Sequence, residues 1–206
     1  GCDLGEGFKI KESQVRGVES NGMICSIAEL GLDQRLLREE DKAGIHVLNE
    51  DAPVGEEALS YLGLKDTILE IGLTPNRSDC MAMTSLAYEV AAVLKRQVKL
   101  PEVKKHIELK SDIKVNVETD LCSFFGAKLV KNVITKESPE WLRNHLLASG
   151  IKPINNIVDI SNYVMLETGQ PIHMYDYDKL KEKSFVIKTG FNTKETLLDG
   201  NEYEIL

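Results

Sequence analysis

The sequence predicts an α+β fold, in which a small mixed β/α N-terminal part is followed by a second α+β domain. Three observations support this prediction. Apolar residues in 83–94 recur at helical spacing, whereas those in 113–117 alternate with polar residues, as in a half-buried strand. The segment 99–111 between them is charged and weakly patterned, so we place a domain boundary within residues 97–112.

The N-terminal part contains short strand-like runs. Residues 14–18 and 22–26 are predicted strands, and Ser20-Asn21-Gly22 between them is a predicted turn, because Asn and Gly tolerate positive φ. Further strands are predicted at 44–48 and 68–73. Two short strands cannot bury a core alone, so we expect the first pair either to join later segments or to have partners upstream.

Two predicted helices are marked by apolar periodicity and by residues that favour helix ends. One runs from Asp79 to the neighbourhood of Lys95, with Ser78 or Asp79 as the N-cap that accepts hydrogen bonds from free backbone N–H groups. The other covers residues 156–167, with Gly169 just beyond its end.

A further helix is predicted to open at Ser138-Pro139. Serine is a favoured N-cap, and proline fits the first turn because its missing N–H would have no partner there. Leu142 and Leu146 form the predicted buried stripe, with Trp141 as a candidate third member. Gly150 is the expected left-handed stop.

The remainder of the second domain is predicted to be mainly β. Strands are expected at 124–133, 185–187 and 196–198, and Asp199-Gly200 is a hairpin turn that leads into a strand at 203–205. Because the chain stops inside or just after that last strand, we expect it to be a piece of a longer protein.

Composition limits the classes of function. The net charge of −8 is the wrong sign for gripping nucleic acid mainly through phosphates, so any RNA contact needs a local patch or a partner. The four cysteines form no CxxC pair, and no Gly-rich phosphate loop is present, so neither zinc nor ATP binding is predicted. The sequence shows neither a membrane-spanning apolar run nor a signal peptide, which makes a cytoplasmic location the default expectation.

Three segments carry a resemblance to a known family. They are Arg16–Ser26, Leu73–Cys80 and Gly150–His173, the last reading GIKPINNIVDISNYVMLETGQPIH. In this order they resemble the closing strands of the tRNA-binding OB domain, the segment after it, and the editing-module signature of bacterial phenylalanyl-tRNA synthetase beta subunits. The resemblance assigns residues 1–55 to the OB-type domain, 56–98 to a joining strand–helix segment, and 112–206 to the first part of the editing domain.

The resemblance implies a function. The family's enzyme is an α2β2 ligase that joins phenylalanine to tRNA(Phe) with ATP and Mg²⁺. Activation occurs in the alpha subunit, and the beta subunit binds tRNA and hydrolyses Tyr-tRNA(Phe). A hydrophobic pocket rejects a substrate with one added hydroxyl only weakly, so a second hydrolytic site corrects the error. We expect no cofactor in this stretch. The family's editing glutamate and Thr-x-Ala segment would follow residue 206, so we expect the stretch to be inactive alone.

Four residues are candidates for the editing site. By resemblance, His173 is the catalytic candidate, because an imidazole can hold a water or hydrogen-bond the terminal ribose or ester. Lys152, Asn155 and Asp159 are candidate substrate- and tRNA-binding residues. Lys152 stands where many relatives have arginine, so it keeps the positive charge but loses the bidentate fork. His173 could instead be structural, and the clustered Asn and Asp side chains could instead cap a helix.

Two other functions remain open on the sequence alone. One is a stand-alone hydrolase that clears mischarged tRNA, and the other is a simple RNA-binding or protein-interaction module. The OB-type strands at 14–26 and the segment 75–94 favour the beta subunit over a free-standing hydrolase. The acidic composition disfavours strong independent RNA binding, and the specific motifs disfavour a generic scaffold.

Overall fold

The chain forms two compact units, and each unit is built from two separate stretches of sequence. The computed structural model describes residues 3–4, 7–104, 110–197 and 199–205. Contacts group Gly1–Lys99 with Thr135–Ile172 in the first unit, and Leu100–Ile134 with His173–Leu206 in the second. The change of unit between Lys99 and Leu100 falls within the domain boundary predicted for residues 97–112. Residues 105–109 of that range lie outside the described part of the chain. Residues 135–172 group with the N-terminal residues rather than with the rest of 112–206, and the three predicted domain ranges stay predictions.

The first unit is built mainly from helices. They are α1 (Ala58–Tyr61), α2 (Met83–Leu94), α3 (Glu140–Ala148) and α4 (Asn156–Thr168), with short 3₁₀ helices at Gln34–Leu36, Glu40–Lys42 and Pro75–Met81. Both α2 and α3 pack against α4. Leu142 and Leu146 of α3 are 2% and 0% exposed, and they confirm the predicted buried stripe, whereas Trp141 is 54% exposed. No described helix is long and apolar enough to cross a bilayer.

The C-terminal ends of the helices agree with the sequence predictions better than their N-terminal starts do. The C-cap of α2 is Lys95 in a left-handed conformation (φ 53°), and Gly150 (φ 75°) and Gly169 (φ 78°) follow α3 and α4, as predicted. The predicted cap at Ser78 or Asp79 is wrong. That stretch is the 3₁₀ helix, in which Asp79 accepts hydrogen bonds from Arg77, and α2 begins only at Met83.

The predicted role of Ser138 is also wrong. Its Oγ donates a hydrogen bond to Asp159 Oδ2 instead of accepting one from the first turn of α3. Pro139 therefore occupies the N-cap position of α3, and the helix starts at Glu140 with no side-chain cap. A partner 21 residues away outcompetes the local backbone for this hydroxyl.

An N-terminal hairpin forms within a run for which the sequence predicts one strand. Strands β1 (Ser13–Val15) and β2 (Val18–Ser20) pair antiparallel, with Val15 opposite Val18. The two residues between them, Arg16 (φ 52°) and Gly17 (φ 82°), both have positive φ, as a tight hairpin turn with the favoured right-handed twist requires. The predictions of a strand over 14–18 and a turn at Ser20-Asn21-Gly22 are therefore wrong.

The described strands of the second unit form two small sheets. Strands β3 (Lys114–Val117) and β4 (Ser184–Ile187) pair parallel, and β5 (Thr193–Thr196) pairs antiparallel with β6 (Glu202–Ile205) around the predicted Asp199-Gly200 turn. Leu198, at the end of the predicted strand 196–198, lies outside the described residues. The helices and small sheets together confirm the α+β fold class.

Four predicted strands do not form. Residues 22–26, 44–48, 68–73 and 124–133 are all described, and none belongs to a paired strand. Their apolar side chains are largely exposed, for example Leu69 at 76% and Phe124 at 84%. A strand is stabilised by pairing with a second backbone, which β-type composition cannot supply by itself.

Candidate functional site

Asn155 caps the helix that begins the candidate site. Its backbone is extended (φ −160°, ψ 165°), and its Oδ1 accepts hydrogen bonds from Ile157 N at 3.0 Å and Val158 N at 3.1 Å. Two of the N–H groups that lack partners inside α4 are thereby satisfied. Asn155 therefore has the helix-capping role that the sequence offered as an alternative.

Asp159 lies one turn into α4 and is 1% exposed. Its Oδ2 accepts a hydrogen bond from Ser138 Oγ at 2.5 Å, and its Oδ1 accepts one from Ile154 N at 2.8 Å. A buried carboxylate is costly unless donors satisfy its oxygens. Here two internal donors do so, and they connect Asp159 to the residues before α3 and before α4.

Lys152 is half-buried on the loop that precedes α4. Its positive charge affects the pKa of Glu39. A hydrogen bond and ion pair from Lys42, at 2.7 Å, are the main reasons that the pKa of Glu39 lies below its ordinary value, and the charge of Lys152 lowers it further. Lys42 and Lys152 therefore both place positive charge near the Glu39 carboxylate.

A cavity of about 260 Å³ lies beside the start of α4, with Pro153, Ile154, Asn155 and Asp159 in its wall. Its guanidinium groups are already paired. Arg38 Nη1 lies 3.1 Å from Glu137 Oε1, Arg143 Nη1 lies 2.5 Å from the same oxygen, and Arg38 also makes a fork with Asp41. The hydrogen bond from Arg38 is the main cause that lowers the pKa of Asp41. The ion pairs of Arg38 and Arg143 with Glu137 brace this wall.

His173 belongs to the second unit, where its side chain is exposed. The residues that follow it are anchored. The ring of Tyr175 packs edge-on against Phe185 of β4, with centroids 5.2 Å apart, and Asp176 caps the 3₁₀ helix Tyr177–Lys179 through Asp178 N. The imidazole therefore projects from a segment that is fixed a few residues downstream.

A second anchor of this segment has no counterpart in the sequence predictions. Tyr177 donates a hydrogen bond to Asp112 Oδ2 at 2.5 Å, and the Lys183 ammonium lies 3.9 Å from the centroid of the Tyr177 ring. The hydrogen bond raises the pKa of Tyr177 and lowers that of Asp112. Asp112 and Tyr177 are 65 residues apart, and no local signal in the sequence predicts their pairing.

The four candidate residues thus fall into two groups. Lys152, Asn155 and Asp159 lie together in the first unit around the start of α4. His173 lies in the second unit, five residues after the end of α4 along the chain. Ser138, the partner of Asp159, is predicted from the sequence only as a helix cap, because nothing local links it to residue 159.

Residues 121–206 match the family model of the B3/4 domain, and this range includes all four candidate residues. This C-terminal part of the chain is therefore similar to domains of the B3/4 class.

Relatives over nearly the whole chain narrow this class to one family. A protein from Geobacillus kaustophilus is 44% identical over 99% of this chain and 26% of its own length. One from Bacillus subtilis is 46% identical over 100% of this chain and 26% of its own, and one from Bacillus cereus is 47% identical over 91% and 24%. All three are named phenylalanine–tRNA ligase beta subunit. The chain belongs to the family of bacterial phenylalanine–tRNA ligase beta subunits, as its motifs predicted, and it spans about a quarter of the length of these relatives.

Proposed function

We propose that this chain is the part of a phenylalanine–tRNA ligase beta subunit that contributes to binding tRNA(Phe) and to hydrolysing Tyr-tRNA(Phe). The observation that carries the proposal is the identity of 44% to a beta subunit over 99% of the chain, which includes the complete motif 150–173. The chain itself does not activate the amino acid. A second activity is needed because tyrosine differs from phenylalanine only by a hydroxyl, which an apolar activation pocket rejects weakly.

His173 is the residue proposed to take part in hydrolysis. Its exposed imidazole can donate and accept a hydrogen bond near neutral pH, so it can hold the attacking water or contact the ester or the terminal ribose. Lys152 is proposed to face a phosphate near the end of the tRNA as a point charge. For Asn155 and Asp159, a contribution to tRNA binding is also proposed, and their geometry favours an indirect one through the shape of the loop.

The proposal places the chain in a larger assembly. The whole enzyme would be an α2β2 heterotetramer in the cytoplasm, with ATP and Mg²⁺ used for activation in the alpha subunit. Among the described residues, no group of three or more His, Cys, Asp or Glu side chains is arranged to hold a metal ion. We therefore assign none of these described residues to Mg²⁺.

The test uses the complete ligase with this sequence in its beta subunit. Preformed Tyr-tRNA(Phe) is mixed with excess enzyme, and release of tyrosine is followed over time. His173→Ala should slow this release by about 10²–10⁴, the usual contribution of one general acid–base or water-positioning group. Phenylalanine activation should stay within about twofold, because the proposal assigns the two reactions to different subunits.

The matched control is His145→Ala, which removes another exposed imidazole within the B3/4 match. This variant should release tyrosine at the wild-type rate. A well-folded His173→Ala enzyme that still hydrolyses Tyr-tRNA(Phe) at the wild-type rate would remove His173 from the proposed site. Loss of hydrolysis in both variants would show that the assay reports stability rather than catalysis.

A further inference from the structure

The backbone before α3 is joined to the first residue of α4 by two hydrogen bonds. Asn156 N donates to Lys136 O at 2.9 Å, and Lys136 N donates to Asn156 Oδ1 at 3.0 Å. The two segments therefore lie side by side at the start of α4. These two hydrogen bonds hold the start of α4, but they do not fix residues 150–154 of the preceding loop.

Asp159 supplies the contact that reaches into this loop. Its carboxylate accepts from Ile154 N, two residues after Lys152, and from Ser138 Oγ, which belongs to a residue that is itself only 5% exposed. Pro153, between Lys152 and Ile154, has a fixed φ because its ring restricts rotation. Fixing the amide of Ile154 therefore limits the directions in which the Lys152 side chain can point away from the loop.

We propose that Asp159 is a positioning residue for Lys152, and that it acts through its hydrogen bonds to Ser138 and Ile154 rather than by contact with tRNA. The inference rests on the proposed function, in which Lys152 faces a tRNA phosphate. Burial decides between the two roles. A side chain that is 1% exposed, with both oxygens engaged by internal donors, presents no surface to a nucleic acid.

Two substitutions of Asp159 separate geometry from charge. Asp159→Asn keeps an oxygen for Ile154 N, and its new NH₂ group can donate to Ser138 Oγ, which accepts as well as it donates. Asp159→Ala removes the acceptor of the Ile154 N–H and the acceptor of the buried Ser138 hydroxyl. Asparagine should therefore preserve the loop, whereas alanine should release it.

The first measurement is the steady-state hydrolysis of Tyr-tRNA(Phe) by the complete ligase. Asp159→Ala should raise KM about tenfold, the equivalent of one charged hydrogen bond, with kcat within about threefold. Asp159→Asn should stay within about threefold of wild type in both constants. Lys152→Ala should raise KM about as much as Asp159→Ala does. The double variant should resemble either single variant, because the aspartate acts through the lysine.

The second measurement is the Kd of the same enzymes for uncharged tRNA(Phe), which does not depend on hydrolysis. The same four-member comparison of Asp159→Ala, Lys152→Ala, the double variant and wild type should show the same non-additivity. If wild type binds tRNA but does not hydrolyse the ester, the editing proposal fails while the positioning role is still tested. Hydrogen exchange of the Ile154 amide should rise at least about tenfold in Asp159→Ala and stay near wild type in Asp159→Asn.

Three results would overturn the inference. If Asp159→Asn and Asp159→Ala both lower kcat by far more than about threefold, the carboxylate takes part in the chemistry and not in positioning. If the effects of Asp159→Ala and Lys152→Ala on Kd multiply in the double variant, the two residues act independently and Asp159 does not position Lys152. Unchanged exchange at Ile154 in Asp159→Ala would contradict the proposed contact itself.

Discussion

Among the described glycines of the first unit, Gly63 should be the most sensitive to substitution by alanine. It follows α1 in a left-handed conformation (φ 65°), and a Cβ at this position would overlap Asn144 Nδ2 of α3. That Nδ2 donates a hydrogen bond to Leu62 O at 3.0 Å, which joins the end of α1 to α3. Gly63→Ala therefore combines backbone strain with the loss of a contact between two helices.

The two costs can be separated by magnitude. An L-residue in the left-handed conformation costs about 1–2 kcal/mol, and a side-chain hydrogen bond of this kind contributes about 1 kcal/mol. Gly55 also has a positive φ, of 92°, but a Cβ added there would meet no atom within 4 Å, so Gly55→Ala should show the strain alone. We expect Gly63→Ala to lower the free energy of unfolding by about 2–3 kcal/mol, which is about 1 kcal/mol more than Gly55→Ala.

Urea denaturation followed by tryptophan fluorescence measures this difference directly, because the single tryptophan, Trp141, lies on α3 itself. In an Asn144→Ala background the clash and the hydrogen bond are both gone. Gly63→Ala should then cost no more than Gly55→Ala does in the wild-type chain. Equal costs for the two glycine substitutions in the wild-type background would refute the contact between Asn144 and the end of α1.

Three further predictions concern the buried stripe of α3, the Arg77–Asp79 ion pair and the β1–β2 turn. Leu146→Ala should lower the free energy of unfolding by about 2–5 kcal/mol, whereas the same change at Leu69, which is 76% exposed, should cost under about 0.5 kcal/mol in the same urea assay. The hydrogen bond from Arg77 lowers the pKa of Asp79, so its stabilisation is present above the unfolded pKa and is lost as pH falls through the folded value. Arg77→Met should therefore flatten the fall in Tm below about pH 4, and an unchanged slope would contradict this pairing. Arg16→Asn should slow amide exchange in the β1–β2 hairpin, because asparagine tolerates positive φ better than arginine does; faster exchange would argue against the turn.

The features that the sequence predicts well depend on local interactions. Gly150 and Gly169 end α3 and α4 because glycine adopts positive φ without steric cost, and this preference is visible in a few residues. The buried stripe of α3 is likewise visible, because Leu142 and Leu146 are four residues apart on one helical face.

The features that the sequence misses depend on distant partners. The run 68–73 has strand-like composition, but no backbone in the described part of the chain pairs with it as a strand. Ser138 has the residue type of an N-cap, but the buried carboxylate of Asp159 takes its hydroxyl. The same limit applies to the candidate site. The capping role of Asn155 could be anticipated, whereas the connection of Asp159 to both Ser138 and Ile154 could not.

The proposed role of this chain is the hydrolytic correction of mischarged tRNA. The most direct test compares single-turnover hydrolysis of preformed Tyr-tRNA(Phe) and Phe-tRNA(Phe) by the complete ligase with this sequence in its beta subunit. A site that hydrogen-bonds the tyrosine hydroxyl rejects the analogue that lacks it, so the tyrosyl ester should be hydrolysed at least about 100-fold faster. Equal rates for the two esters, or hydrolysis no faster than in buffer, would contradict the account.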